Sequence, residues 1–192
     1  PRSRGLGDVY KRQIIALLLL FPVLVSAQGH KGSVEACSPM KNGKIYYEDQ
    51  VDMDGMSQKT IFNGISKWAK KNYGKDVFLS NVVTNKKKHT ILVSSTVELL
   101  LNDTDKTLVT YRMFIECFEG KYTASMTDIK YEYDPKNEKK HKDIPAEDVI
   151  ANGGKGNKVS YIKNPKLFCD ATYFFAENLF GDVFNSLDEN ME

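Results

Sequence analysis

Hydrophobic and polar residues alternate over the middle of the chain, where four stretches each have the pattern of a β-strand. The predicted strands are 76–84, 89–101, 107–118 and 121–133. Polar segments rich in Asn, Asp, Lys and Gly separate them, and Asn, Asp and Gly tolerate turn geometry. Alternation with a period of two indicates one buried face and one face in solvent. The pattern therefore predicts an antiparallel meander.

The fourth predicted strand departs from this alternation. Met126 and Ile129 are both apolar but lie three residues apart, so they cannot share one face of a regular strand. A β-bulge adds one residue to a strand and would bring both side chains to the same face. We therefore predict a bulge near Thr127 or Asp128.

Two helices and one further strand flank the meander. A helix is predicted over 58–73, because Ser57 can cap its first turn and an apolar stripe recurs at helical spacing. Trp68 lies in this stripe and is expected to anchor the core. A second helix, predicted over 165–187, carries five Phe residues and should cover much of the sheet. The segment 44–51 is rich in aromatic and β-branched residues and is predicted to be a strand.

The domain organisation follows from the segments before this strand. Residues 1–13 are predicted to be non-native, adapter-derived sequence or, alternatively, the Arg-rich start of a signal peptide. The segment 14–27 is predicted to be a truncated signal peptide cleaved after Ala27, because its apolar run of twelve residues is too short to span a bilayer. Residues 28–43 are predicted to be a loose arm, and 44–188 a single domain.

Removal of a signal peptide changes both the charge and the compartment. Residues 1–27 contain four basic side chains and one acidic side chain, so without them the formal net charge falls from +2 to −1. No basic patch for nucleic acid remains, and we predict no nucleic-acid partner. We expect export to the periplasm or cell surface of a Gram-negative bacterium, with no stable membrane span after cleavage.

The three cysteines and three histidines form no recognisable catalytic or metal-binding motif. Cys117 lies on the predicted buried face and is expected to be an inert thiol. Cys37 and Cys169 either pair or remain free, since sequence does not supply the geometry. We predict no metal, no cofactor and no catalytic residue. An envelope hydrolase with a site in the polar segment 134–164, in a pocket containing His141 or Cys169, stays open as an alternative.

The order of elements resembles one half of the TATA-box-binding-protein (TBP) fold. It is also similar to a family of exported bacterial domains of unknown function with a TBP-like fold. The residues that carry this likeness are GKIYY (43–47), DGMS (54–57), KW (67–68) and TDI (127–129), within a span of roughly 43–133. The resemblance implies an α+β domain with the order β-α-β-β-β-β-α, a five-stranded antiparallel sheet and two helices packed on one face. It supplies no catalytic residues.

The solvent side of the predicted sheet has more apolar residues than alternation requires. Scattered exposed apolar residues are normal, whereas a contiguous patch marks a partner or ligand surface. We therefore favour a non-enzymatic binding or protein-interaction module of the cell envelope. Its partner would be an envelope protein or an apolar ligand, and a homodimer is a further hypothesis. The candidate binding residues are Leu92, Leu108, Arg112, Phe114 and Phe118.

Overall fold

A six-stranded antiparallel sheet is the centre of the fold in a computed structural model of the chain. The structure describes residues 37–75, 79–134 and 141–188. The predicted non-native segment and signal peptide, and the arm as far as residue 36, lie outside the described residues. Within the described part, no helix combines the length and apolar character needed to cross a membrane.

A small two-stranded hairpin precedes the six-stranded sheet, and the helices lie between and after the strands. In chain order the elements are β1 (Met40–Lys41), β2 (Lys44–Ile45), β3 (Tyr47–Asp52), α1 (Gln58–Tyr73), β4 (Ser80–Asn85), β5 (Thr90–Leu100), β6 (Lys106–Phe118), β7 (Lys121–Tyr133), β8 (His141–Pro145), α2 (Glu147–Ile150), a 3-10 segment (Ala151–Gly154) and α3 (Pro165–Asp188).

The sheet order is β3-β7-β6-β5-β4, and β8 also pairs with β7. β3 runs beside the first half of β7 and β8 beside the second half, so two short strands share one side of β7. The predicted α+β class and antiparallel sheet are confirmed, but the sheet has six strands rather than five. The extra strand is β8, which is too short and irregular for alternation to mark it within the predicted polar connection.

The two long helices pack on one face of the sheet, as predicted, and they also contact each other. The Ser57 side chain accepts a hydrogen bond from the Thr60 backbone N–H (3.2 Å), which caps α1, and Gly74 ends it. Trp68 packs against the core, as predicted, but is only partly buried, and it makes an edge contact with the Tyr73 ring. A third, short helix, α2, follows β8.

The register of β6 and β7 confirms the predicted bulge. Thr110 pairs with Lys130 and Arg112 pairs with Thr127, so two residues of β7 stand opposite one residue of β6. One of those two, Asp128, has a left-handed backbone with φ of 51°. The extra residue brings Met126 and Ile129 to the same face, and both are buried in the core.

The structure also decides the cysteine question that the sequence leaves open. Cys37 and Cys169 form a disulfide with a Cα–Cα distance of 5.9 Å, within the usual range for such bonds. The bond joins the segment before β1 to α3. Cys117 is a free thiol buried in the sheet, as predicted, and burial raises its pKa to about 12.

Candidate functional site

Among the described residues, one face of the sheet is open, because α1 and α3 both pack on the other. We call these the free face and the covered face. Met113 and Phe114 show the contrast, since they are neighbours on β6 and point to opposite sides. Met113 is fully buried on the covered face, whereas 41% of Phe114 is exposed on the free face. The free face is therefore the larger unoccupied surface on which to look for a site.

Three apolar side chains lie next to each other on the free face. Val83 on β4 pairs directly with Leu92 on β5, which pairs with Phe114 on β6. Directly opposed residues in a sheet have Cβ atoms about 4.5–5.5 Å apart, so these three side chains are in lateral contact range. Val83 is 53% exposed. We call Val83, Leu92 and Phe114 the apolar row; sequence reasoning had found the last two and missed Val83.

Two of the predicted binding residues stand apart from the apolar row. Leu108 is six residues from Phe114 along β6, a separation of about 20 Å in an extended strand. It pairs with Glu98 on one side and Glu132 on the other, so charged residues lie directly beside it. Phe118 has the Lys121 ammonium 5.7 Å from its ring centroid. The structure therefore joins only part of the predicted set.

Arg112, the remaining predicted residue, lines a cavity of about 440 Å³ beside the apolar row. It is two residues from Phe114 on the same face, a distance of about 7 Å along the strand. We call this cavity the charged groove. Its lining residues are Lys44, Ser94, Thr110, Tyr111, Arg112, Asp128, Ile129, Lys130, Asp143, Pro145 and Glu147.

Two ion pairs across the strands shape the charged groove. The Arg112 guanidinium lies 3.5 Å from the Asp128 carboxylate, and the Lys130 ammonium lies 3.1 Å from the Asp143 carboxylate. All four side chains are well exposed, so water screens both pairs. They remain available to exchange these contacts for contacts with a ligand.

A third ion pair is held more firmly. The Glu147 carboxylate lies 3.8 Å from the Lys44 ammonium and also accepts a hydrogen bond from the Ile45 backbone N–H (3.1 Å). Only 12% of the Glu147 side chain is exposed. Glu147 therefore fixes the first turn of α2 against β2 and forms the rigid end of the groove.

The bulge in β7 explains why the groove forms here. Asp128 and Asp143 both have left-handed backbones, with φ of 51° and 57°, a conformation that Asp tolerates better than most residues. Bulges redirect side chains and are common beside functional sites. The bulge and the alternation that puts Arg112 on the free face were the sequence signals for this site. Lys44, Asp143 and Glu147 come from other segments, and no local pattern marks them.

The groove balances its charges, because three cationic and three anionic side chains line it. Such a lining can form ion pairs with both signs of charge on a partner, and it does not favour phosphate over carboxylate or amine. Among the described residues, no group of three or more His, Cys, Asp and Glu side chains is placed to hold a metal ion.

The segment proposed for a hydrolase site contains ordered structure. The His141 ring stacks on the Tyr161 ring with centroids 4.0 Å apart. Cys169 is the thiol that the hydrolase hypothesis would use as a nucleophile. It is bonded to Cys37, so it is not available for that role in this state. The hydrolase hypothesis otherwise stays an untested prediction.

Three comparisons place these features among known proteins. Residues 47–132 match the model of a domain of unknown function with a TBP-like fold, DUF4468. A TBP-like protein from Parabacteroides distasonis, known from a crystal structure, is 59% identical in sequence to this chain. The two structures match with a TM-score of 0.75 over 79% of this chain and 97% of that chain.

A DUF4468 family protein from Bacteroides ovatus shares the fold with a TM-score of 0.66 and 24% identity. The similarity covers 79% of this chain and 91% of that one. Comparison with curated proteins finds no significant match.

Proposed function

This chain belongs to the DUF4468 family of domains with a TBP-like fold, and from that premise we propose that it is an exported, non-enzymatic protein-interaction module of the cell envelope. Its partner is an envelope protein that docks on the free face. One observation carries the proposal: the apolar row lies directly beside the charged groove on the face that the helices leave open.

The arrangement matches the composition of protein interfaces. Such interfaces combine an apolar centre with a polar rim, and aromatic residues and Arg are enriched in them. Phe114 supplies an aromatic centre, and Arg112 lies two residues away at the rim. A partner segment would place an apolar side chain on the row and charged groups over the groove.

A protein partner fits this surface better than an apolar small molecule. Sites for such ligands usually enclose most of the ligand in a mainly apolar cavity. Here the apolar side chains lie on an open sheet surface, and the neighbouring cavity is lined largely by charged groups. An apolar ligand would leave those charged groups desolvated without partners, which is unfavourable.

Two features support export. The disulfide between Cys37 and Cys169 is typical of proteins from oxidising compartments. The apolar run in 14–27 and the small residues that end it are typical of a signal peptide. Cell fractionation combined with thiol alkylation tests this part, because an exported protein will be in the envelope fraction with only Cys117 open to alkylation after unfolding.

Cross-linking in the native envelope, read by mass spectrometry, tests the interaction. We expect one repeated partner whose cross-links to this chain are lost in Phe114→Glu. Phe174→Glu is the matched control, because Phe174 is 63% exposed on α3, away from the free face. That variant should keep the partner. If Phe114→Glu keeps every cross-link that the natural chain makes, the free face is not the docking surface and the proposal is wrong.

A further inference from the structure

Among the described residues, the outer strand of the sheet, β4, has a neighbouring strand on one side only, and its other edge is open from Val82 to Thr84. It pairs with β5 only. The Thr96 backbone N–H donates to the Leu79 carbonyl (2.8 Å). This bond shows which residue pairs of the β4–β5 ladder are joined by hydrogen bonds and which are not. Bonded pairs recur at every second residue of an antiparallel ladder, so the N–H and C=O groups of Val82 and Thr84 point away from β5.

β4 lacks the devices that usually protect an edge strand. Natural edges carry Pro, Lys, inward charges or bulges, which prevent pairing with another chain. Ser80–Asn85 contains no proline and no charged residue, and its register with β5 is unbroken. The edge is therefore competent to add a further strand.

The sequence of β4 identifies which strand fits. Read from either end, Asn81-Val82-Val83-Thr84-Asn85 is nearly the same, with Val83 at its centre. Val82 and Thr84 exchange places under this reversal, and their branched side chains have the same shape. A two-fold contact requires a surface that is complementary to itself, and this strand meets that condition.

We propose that β4 pairs antiparallel with β4 of a second copy of this chain, about a two-fold axis at Val83. Val82 of each copy lies opposite Thr84 of the other, and their outward N–H and C=O groups complete the ladder. Asn81 lies opposite Asn85 across the axis, which brings amide groups together, and Val83 faces its own counterpart.

The pairing also extends the surface described above. The apolar row ends at Val83, which is on the free face at the open edge. Pairing at this residue joins the rows of the two copies into one apolar stripe across a continuous sheet. This inference goes beyond the proposed function, since it needs no envelope partner.

Charge does not oppose the contact. The turn that follows β4 contains Lys86, Lys87 and Lys88. In an antiparallel pair the two turns lie at opposite ends, with the two Lys86 residues about 20 Å apart along the ladder. That distance exceeds the Debye length of about 8 Å at physiological ionic strength, so repulsion between the turns is screened.

Sedimentation equilibrium over a range of concentrations tests the pairing on protein expressed from the full sequence. We expect a reversible dimer, because a single strand pair is a small interface. Val82→Pro removes an outward N–H without taking a hydrogen bond from β5 and should abolish the dimer. Val82→Thr keeps the N–H and the branched shape, so this matched control should dimerise like the natural chain.

A charge exchange at the axis tests the register. Val83→Lys places two ammonium groups opposite each other, and Val83→Glu does the same with carboxylates, so each variant alone should be monomeric. An equimolar mixture of the two should recover a dimer. Far-UV circular dichroism shows that each variant is folded.

Three results would overturn the inference: a monomer at every concentration, a dimer that Val82→Pro leaves intact, or monomeric Val83 variants that stay monomeric when mixed. Because the assay contains only this chain, its failure leaves the envelope-partner experiment with Phe114→Glu unaffected.

Discussion

The covered face and the free face are built from alternate residues of the same strands, yet they differ in what holds their side chains. On the covered face Met113 and Ile115 are fully buried in the core. On the free face Phe114 and Arg112 are exposed, and the ion pair of Arg112 with Asp128 is screened by water. Burial on one side thus supplies stability, while the other side can change its contacts without unfolding the protein.

High pH should lower the free energy of unfolding more than any other change considered, because the covered face buries several tyrosine phenols. Burial raises the pKa of Tyr47, Tyr111 and Tyr131, and raises that of the Cys117 thiol to about 12. The folded state therefore keeps protons that the unfolded chain loses at about pH 8.5 for Cys and pH 10 for Tyr. Stability is fully present below these values and falls as the pH rises above them toward the raised pKa values of the folded state, until the chain unfolds.

Urea denaturation between pH 8 and 11.5 measures this loss, and absorbance at 295 nm reports phenol ionisation. Ionisation of the buried phenols should coincide with loss of far-UV circular dichroism. If all the phenols of a still folded protein titrate with a midpoint near pH 10, they are accessible, and the contrast between the faces fails.

Substitution at two neighbouring residues of β6 compares the faces directly. Met113→Ala removes a fully buried side chain and should lower the free energy of unfolding by about 2–5 kcal/mol. Phe114→Ala removes an exposed ring and should change it by only about 0.5 kcal/mol. Urea denaturation measures both. If both variants lose the same free energy of unfolding, the ring of Phe114 is packed against other residues, and the free face is not open.

Removal of the disulfide measures how much this bond contributes to the free energy of unfolding. Cys37 and Cys169 are 132 residues apart, and loss of such a bond typically costs about 2–5 kcal/mol. In urea denaturation, the double variant Cys37→Ser, Cys169→Ser should have the same free energy of unfolding as the reduced natural chain. The double variant should also be insensitive to dithiothreitol; any further loss on adding it would point to another thiol-dependent contact.

The smallest change in the free energy of unfolding is expected for a substitution in the charged groove. Arg112→Ala breaks the pair with Asp128, which is 3.5 Å long and well exposed. The free energy of unfolding should change by less than about 1 kcal/mol. Binding of the envelope partner should weaken at the same time. A large loss of stability would instead make this ion pair part of the fold rather than of the site.

Local patterns in the sequence were sufficient for much of the architecture. Ser57 and Gly74 marked the ends of α1, and alternation located β5, β6 and β7. The three-residue spacing of Met126 and Ile129 located the bulge, because a strand has no other way to bury both. Each of these inferences depends on residues close together in the chain.

Other features depended on contacts between distant segments, which only the tertiary structure decided. The pairing of Cys37 with Cys169, the position of β8 beside β7, and the meeting of Lys44 with Glu147 all join parts of the chain far apart in sequence. Leu108 and Phe114 have the same parity, yet register placed only Phe114 in the apolar row. Parity determines the face of a side chain, whereas register and long-range packing determine its neighbours.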